Sequence, residues 1–144
     1  MSVPPRVSLA TLGVADVARA TEFYESLGWR LSSASVPGVV SFFQTAGGLL
    51  SLVKTADISS DAGIAPREST DFRGVMLAVN VESPAAVDEG LRSVVQAGAV
   101  LVKAGSATDW GGYLGYFTDP DGHLWEITYN PGFPLSGDGI PRLP

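Results

Sequence analysis

The residue whose type and position most clearly suggest chemistry is Glu126, which stands in the otherwise apolar segment Leu124–Tyr129. A carboxylate in such a segment is costly to bury unless it is paired, protonated or used in binding or catalysis. The neighbouring positions of the same strand face, Leu124 and Thr128, carry no compensating positive charge. We therefore predict that Glu126 faces a binding site, where it binds a cation or a hydrogen-bond donor or acts as a general base.

Aromatic side chains and glycines alternate in the segment WGGYLGY, Trp110–Tyr116. Trp110, Tyr113 and Tyr116 are suited to stacking on a ligand, because the neighbouring glycines let a ligand or a backbone approach closely. The same glycines are equally typical of a β-bulge or a bent strand, in which case the aromatic side chains belong to the core. Both interpretations stay open at this point.

The absence of cysteine and the presence of only one histidine exclude several kinds of chemistry. The chain has no cysteine and a single histidine, His123. Disulfides, thiolate nucleophiles, cysteine-ligated zinc and multi-histidine metal sites within one chain are therefore excluded. His123 lies three residues before Glu126, so alternation along a strand places the two side chains on opposite faces. No metal ligand and no cofactor are predicted.

Charge and composition limit the partners. The 144 residues include nine Lys plus Arg and fifteen Asp plus Glu, which gives a net charge of −6, and 45% of them are hydrophobic. Such a chain buries a core, and its summed field repels a phosphate backbone. No segment reaches the roughly 20 apolar residues that a membrane span needs, and the N-terminus lacks the apolar region of a signal peptide. The sequence predicts a cytoplasmic domain that binds neither nucleic acid nor membranes.

Hydrophobic periodicity and turn residues predict the elements of the first half. Asp16 is the expected N-cap of a helix that ends at Gly28. The predicted strands of this half are Val7–Val14, Trp29–Val36, Val39–Thr45 and Leu49–Lys54.

The second half repeats this order. Ser83 is the expected N-cap of its helix, Pro84 stands at the first helical position, and Gly98 marks the end. The predicted strands are Gly74–Val81, Ala99–Lys103, Gly111–Thr118 and His123–Tyr129, with a turn at Asp119–Gly122 before the last.

A duplication is the simplest explanation of the repeated order, since Val81 corresponds to Val14 and Gly98 to Gly28. The sequence therefore predicts one α+β domain, residues 1–144, built from two tandem βαβββ modules. The first module covers about residues 6–55 and the second about 73–130. Residues 56–72, which show no periodicity, are the expected linker, and residues 131–144 are an irregular tail.

The segments LGVADVARATEFYESLGW (Leu12–Trp29) and WGGYLGYFTDPDGHLWEITYNP (Trp110–Pro131), set in two βαβββ halves, resemble the vicinal oxygen chelate superfamily. That superfamily includes glyoxalase I, bleomycin-resistance proteins and extradiol dioxygenases. The resemblance implies that the curved mixed sheets of the two modules enclose a cleft, with the helices outside. It also implies that the protein forms a homodimer.

In the enzymes of this superfamily a divalent metal is held by one side chain from the first and one from the last strand of each module. The resemblance assigns these positions to Leu9, Ser51, Met76 and Glu126, of which only Glu126 matches the expected ligand type. An alkyl group, a hydroxyl, a thioether and one carboxylate do not form a good shell of oxygen and nitrogen atoms. We therefore expect no metal.

Strand alternation and the resemblance together give a predicted ligand-binding set. Its members lie on strand faces expected to line the cleft or in the glycine-rich segment: Leu9, Ser51, Met76, Asn80, Trp110, Tyr113, Tyr116 and Glu126.

Three functions stay open. The first is a metal-independent protein, similar to the bleomycin-resistance branch, whose acidic, aromatic-lined cleft binds a small planar or cationic molecule. The alternative is a lyase, isomerase or dioxygenase-like enzyme that uses Glu126 as a base, or as part of an incomplete metal site that a second chain or the substrate completes. The third is a cleft used only for dimer formation or for a protein partner. The sequence does not identify the ligand.

Overall fold

The computed structural model describes residues 3–65 and 71–143. In those residues the fold is α+β, with two open sheets and three helices. The chain divides into two units, residues 1–68 and 69–144, and each unit has its own sheet. None of the helices in the described ranges has the length and hydropathy that a membrane crossing requires.

The first unit has a three-stranded sheet. In it the strand Gly48–Lys54 lies between the strand Leu9–Val14, to which it is parallel, and the strand Val40–Thr45, to which it is antiparallel. As predicted, the Asp16 side chain caps the first helix and accepts a hydrogen bond from the Arg19 N–H at 3.1 Å. The elements in chain order are β1 (Leu9–Val14), α1 (Val17–Ser26), β2 (Val40–Thr45), β3 (Gly48–Lys54) and α2 (Thr55–Ala62).

The core of the first unit forms where one face of this sheet meets α1. Leu52 and Phe43 are fully buried, and the Tyr24 ring of α1 lies 5.9 Å from the Phe43 ring between centroids. The hydroxyls of Thr21 on α1 and Ser41 on β2 hydrogen-bond at 2.7 Å, which satisfies two polar groups that burial would otherwise penalise. This bond also identifies the face of the sheet that α1 covers.

The prediction of a strand at Trp29–Val36 is wrong. Only two isolated bridges form there, Leu31 to Phe43 and Val36 to Val40. Serine side chains take the place of ladder partners: the Ser35 hydroxyl accepts from the Phe42 N–H at 2.9 Å. Serine often competes with the backbone in this way, and the competition interrupts a regular strand.

The segment after β3 was predicted to be irregular, and its first part forms α2 instead. None of the α2 residues is buried, so no apolar stripe reveals this helix in the sequence. It packs against β1 and β3, where a Cβ on Gly13 would lie 2.7 Å from the Thr55 Oγ1. Gly63, with φ of 68°, ends the helix. Residues 66–70 of the predicted linker lie outside the described residues.

The second unit follows the predicted βαβββ order. In its sheet the strand Leu124–Tyr129 lies between Leu77–Asn80, to which it is parallel, and Tyr113–Thr118, to which it is antiparallel. The edge strand Val100–Ala107 pairs antiparallel with Tyr113–Thr118. The Ser83 hydroxyl accepts from the Ala86 N–H at 3.1 Å and caps the helix, as predicted. The elements are β4 (Leu77–Asn80), α3 (Pro84–Gln96), β5 (Val100–Ala107), β6 (Tyr113–Thr118) and β7 (Leu124–Tyr129).

The core of the second unit lies between α3 and one face of this sheet. Phe117 and Trp125 stack with their ring planes 5° apart, and Ile127 is 5% exposed. Gly90 in the middle of α3 allows the close approach, because a Cβ there would lie 2.9 Å from the Ile127 Cδ1. The α3 face is therefore the apolar face, as strand alternation predicts.

The predicted turn Asp119–Gly122 is confirmed. The buried Asp119 carboxylate accepts from the N–H groups of Asp121 and His123, both at 2.9 Å. The His123 ring lies 3.3 Å from the Arg73 guanidinium. After β7 the tail makes turns and one isolated bridge, Leu135 to Pro141.

Candidate functional site

The face of the second sheet that points away from α3 carries a row of four residues on four strands. Register pairs Ala78 with Glu126, Glu126 with Tyr116, and Tyr116 with Lys103. Residues directly opposite each other on neighbouring strands share a face. Glu126 and Tyr116 are half-buried, whereas Ala78 and Lys103 at the two ends are exposed.

Tyr116 and Glu126 form the polar pair of this row. The Tyr116 phenol lies beside the Glu126 carboxylate, because the two residues are register partners and share a face. Burial raises the pKa of Tyr116 above its ordinary value, and the hydrogen bond to Glu126 and the negative charge of that carboxylate raise it further. One donated bond leaves most of the acceptor positions of a carboxylate available. The pair therefore offers a ligand hydrogen-bond acceptors beside a phenol that is held in its protonated form.

Lys103 reaches this row through a β-bulge in β5. Leu101 pairs with Phe117 and Lys103 with Tyr116, so two steps along β5 match one step along β6. Simple alternation puts Leu101 and Lys103 on the same face, and the bulge turns Lys103 to the other. Gly115 makes room for the bulge, because a Cβ there would lie 2.8 Å from the Lys103 carbonyl oxygen.

Sequence reasoning missed Lys103 for this reason. The glycines of the WGGYLGY segment did allow a bulge as one of two interpretations, and Gly115 is the glycine that fits it. What the sequence did not show was which strand carries the extra residue. The structure places it in β5, between Leu101 and Lys103, with a second irregularity before Ser106.

Tyr113 lies on the opposite face from Tyr116. Its phenol donates to both oxygens of Asp88 on α3, at 2.9 and 3.1 Å. The hydrogen bond to Asp88 raises the pKa of Tyr113, and burial and the Asp88 charge add to the rise. Tyr113 and Tyr116 were predicted as members of one ligand-binding set, and the structure separates them.

Asp88 also lines a groove of about 460 Å³ between α3 and β5. Sequence reasoning missed this groove, because it depends on how the bulged strand packs on the helix. Its lining is mostly apolar and comprises Asp88, Leu91, Arg92, Val95, Gln96, Leu101, Ala104 and Gly105.

Trp110 lies in the connection between β5 and β6, before β6 begins. Its ring covers Gly112, where a Cβ would collide with the indole. The Thr108 hydroxyl accepts from the Gly112 N–H at 2.8 Å and holds this loop. Trp110 is 51% exposed, so half of its surface stays available for a ligand.

Asn80 and Met76 belong to the strand next to Glu126. Asn80 is half-buried and pairs with Thr128, two residues beyond the Ala78–Glu126 pair. It therefore shares the face of Glu126. Met76 stands just before β4 begins at Leu77 and is 41% exposed.

Leu9 and Ser51 belong to the first unit. Ser51 is 2% exposed, and its Oγ lies 2.5 Å from the Oγ1 of its register partner Thr11. Leu9 begins β1 and is 42% exposed. The two residues lie two register positions apart on the face of the first sheet that points away from α1.

The residues at the expected metal-ligand positions do not fit a metal. Leu9 has no donor atom, and the buried Ser51 hydroxyl is engaged by Thr11. Met76 offers only a thioether, and Glu126 is the single carboxylate among the four positions. Within residues 3–65 and 71–143 no group of three or more His, Cys, Asp or Glu side chains is arranged to hold a metal ion.

Comparison with known families identifies the family of the chain. A family model described as the Glyoxalase/Bleomycin resistance protein/Dioxygenase superfamily matches residues 6–127. A search of curated proteins found no match.

Solved structures share the fold. A glyoxalase-related enzyme from Fulvimarina pelagi is 31% identical, with 97% of this chain and 99% of that chain covered and a TM-score of 0.86. A glyoxalase/bleomycin resistance protein/dioxygenase family enzyme from Burkholderia phytofirmans PsJN is 19% identical, with 86% and 98% covered and a TM-score of 0.77. A lactoylglutathione lyase from Agrobacterium tumefaciens is 23% identical, with 89% and 96% covered and a TM-score of 0.67.

Proposed function

The chain belongs to the Glyoxalase/Bleomycin resistance protein/Dioxygenase superfamily, and we propose that it is a metal-independent binding protein for a small molecule. The ligand binds on the face of the second sheet that carries Tyr116 and Glu126. The observation that carries this proposal is the register pair of Tyr116 and Glu126, which sets a half-buried phenol beside a half-buried carboxylate on one face of the sheet.

The chemistry of this pair favours a ligand with a positive charge or a hydrogen-bond donor. A carboxylate that is partly removed from water interacts more strongly with a cation than an exposed carboxylate does. The phenol holds the carboxylate in one orientation, so a ligand finds the acceptor in place. The net charge of −6 also favours the approach of a cation.

Other predicted ligand-binding residues fit this proposal to different degrees. Asn80 shares the face of Glu126 and adds an amide, and Trp110 offers a half-exposed ring. Tyr113 is left out, because its phenol is bound to Asp88 on the α3 side. Ligand contacts of Leu9, Ser51 and Met76 remain predictions, as do the homodimer and the cytoplasmic location.

A second candidate function is an enzyme that uses Glu126 as a general base. The specific observation that favours it is the protonated phenol beside a carboxylate, which places a proton donor next to a proton acceptor. Such a pair suits a lyase or an isomerase, in which one proton is removed and another is returned.

Titration calorimetry on chelator-treated protein tests the binding function, with 4-methylbenzylamine and metal-free bleomycin as probes. We expect binding by the unmodified protein and about tenfold weaker binding by Glu126→Gln, since a charged hydrogen bond is lost. Tyr113→Phe is the matched control, because it removes a phenol three residues away on the other face. Absence of binding by the unmodified protein, or equal binding by Glu126→Gln, would contradict the proposal.

A turnover assay tests the second candidate. Chelator-treated protein is incubated with the hemithioacetal of methylglyoxal and glutathione, and product formation is followed. The binding function predicts no turnover above the uncatalysed rate. Turnover that Glu126→Gln abolishes and Tyr113→Phe preserves would replace the binding function with the enzyme.

A further inference from the structure

Lys103 stands at one end of the row that carries the proposed ligand site, and the proposed function does not use it. Its register partner is Tyr116, whose other neighbour in the row is Glu126. Lys103 is exposed. Among the described residues no hydrogen bond or ion pair occupies its ammonium group.

The bulge indicates that the placement of Lys103 is specific. Without it, Lys103 would share the α3 face with Leu101, whose partner is the buried Phe117. The bulge has a structural cost, since only a glycine at position 115 makes room for it. Bulges often re-aim a side chain toward a functional site. Here the re-aimed side chain is a cation, and it joins a row that already holds a carboxylate.

The distance between the two charges limits what the row can bind. Lys103 and Glu126 lie on strands separated by one strand, β6, so their backbones are about 10 Å apart. That separation is too large for a direct ion pair between side chains that stand upright on the sheet. Tyr116 lies between them, so a molecule that reaches from one charge to the other crosses its ring.

We propose that Lys103 determines specificity in this site, and that the ligand is zwitterionic, with an ammonium group at Glu126, an aromatic or otherwise flat body over Tyr116, and a carboxylate at Lys103. This inference rests on the proposed function, because it assigns the ligand class of the same site. It adds a requirement that the Tyr116–Glu126 pair alone does not impose, namely an anionic group at the far end of the ligand.

Two probes that differ at one end test the inference. 4-(Aminomethyl)benzoate carries an ammonium and a carboxylate at opposite ends of one ring, and 4-methylbenzylamine has a methyl group in place of the carboxylate. At low ionic strength we expect the zwitterion to bind the unmodified protein about fivefold more tightly than the amine, as for one partly exposed ion pair.

Variants at position 103 test whether Lys103 causes the preference for the zwitterion. Lys103→Met should bind the two probes equally, and Lys103→Arg should keep the preference, because it keeps the charge. Lys54→Met is the matched control, since it removes an exposed lysine of the first unit and should leave the preference unchanged. A melting curve for each variant checks that it folds.

The outcomes distinguish a failure of the proposed role of Lys103 from a failure of the proposed binding function. The role of Lys103 is overturned if the unmodified protein binds both probes with equal affinity, or if Lys103→Met keeps the full preference for the zwitterion. In either case, binding of 4-methylbenzylamine to Glu126→Gln still tests the proposed role of Glu126. About tenfold weaker binding of both probes by Glu126→Gln, together with loss of the preference for the zwitterion in Lys103→Met, supports both proposals. If neither probe binds the unmodified protein, the proposed function fails and this inference fails with it.

Discussion

The two sheets place different chemistry at equivalent positions. In each, a central strand lies between a parallel and an antiparallel neighbour, so Ser51 on β3 corresponds to Glu126 on β7. Ser51 is 2% exposed and shares a hydrogen bond with the Thr11 hydroxyl. Glu126 is half-buried and lies beside its register partner Tyr116. A neutral pair therefore occupies the middle of the first sheet, and an ionisable pair occupies the middle of the second.

This difference is the reason why the proposed ligand site lies in the second unit. A buried hydroxyl needs only one partner to be stable, and Ser51 has that partner within its own sheet. A carboxylate keeps spare acceptor positions after one hydrogen bond and can receive a ligand. The proposed binding role therefore falls to Glu126, whereas the Ser51 hydroxyl already has a hydrogen-bond partner in its own sheet.

Of the changes considered, a carboxylate placed in the first sheet should have the largest effect on the free energy of unfolding. Ser51→Glu forces a longer, ionisable side chain into a buried position without a cationic partner, and we expect a loss of about 3 kcal/mol in the free energy of unfolding. The reciprocal variant Glu126→Ser should change stability by less than about 1 kcal/mol. Urea denaturation measures both. Equal losses in the two variants would contradict the comparison.

Filling the space beside the bulge should have the next largest effect. A Cβ at position 115 would lie 2.5 Å from the Leu91 Cδ1 and 2.8 Å from the Lys103 carbonyl oxygen, so the backbone must shift. We expect Gly115→Ala to lose about 2 kcal/mol of stability. Gly137→Ala, at a glycine with open space around it, is the control for thermal unfolding. A neutral Gly115→Ala would mean that the bulge does not need this glycine.

Two tyrosines of the second sheet, Tyr113 and Tyr116, should make the free energy of unfolding depend on pH in the alkaline range. The raised pKa values of Tyr113 and Tyr116 mean that an unfolded tyrosine loses its proton near the ordinary value of 10.0, before the folded ones do. The stabilisation is complete below pH 10 and is lost as pH rises through the raised pKa values. Tyr116→Phe should make this loss smaller.

Absorbance of tyrosinate at successive pH values, combined with urea midpoints, checks this prediction. Glu126→Gln should lower the pKa of Tyr116 toward 10.0, because it removes the neighbouring charge. A titration curve identical to that of the unmodified protein would show that the Glu126 carboxylate does not act on Tyr116.

Removing the second phenol should have the smallest effect. Tyr113→Phe takes one donor away from the half-buried Asp88, and water can replace that donor because Asp88 lines an open groove. We expect a small decrease in melting temperature and no change in the affinity for 4-methylbenzylamine. Differential scanning calorimetry and titration calorimetry measure the two. A large loss of affinity would return Tyr113 to the ligand-binding set.

The elements that the sequence predicted well are those with local signals. Asp16 and Ser83 cap the helices as expected, and Gly28 and Gly98 follow the helix ends with positive φ of 85° and 111°. Each signal depends on a few neighbouring residues, so one sequence is enough to detect it. The family match over residues 6–127 agrees with the resemblance noted in the motifs.

The elements that the sequence did not reveal depend on tertiary contacts. The α2 helix buries none of its residues, and the Ser35 hydroxyl interrupts the expected strand by bonding to Phe42. In the candidate site, the bulge reverses the face of Lys103 and no local pattern gives its position. Tyr113 and Tyr116 look alike in sequence, and only their odd spacing separates them onto two faces.

Two variants at the equivalent positions of the two sheets test the proposed binding role of Glu126 most directly. Titration calorimetry measures 4-methylbenzylamine binding to Glu126→Gln and Ser51→Ala in the presence of a chelator. We expect about tenfold weaker binding by Glu126→Gln and unchanged affinity in Ser51→Ala. Unchanged affinity in Glu126→Gln, or binding by the unmodified protein only after a divalent metal is restored, would contradict it.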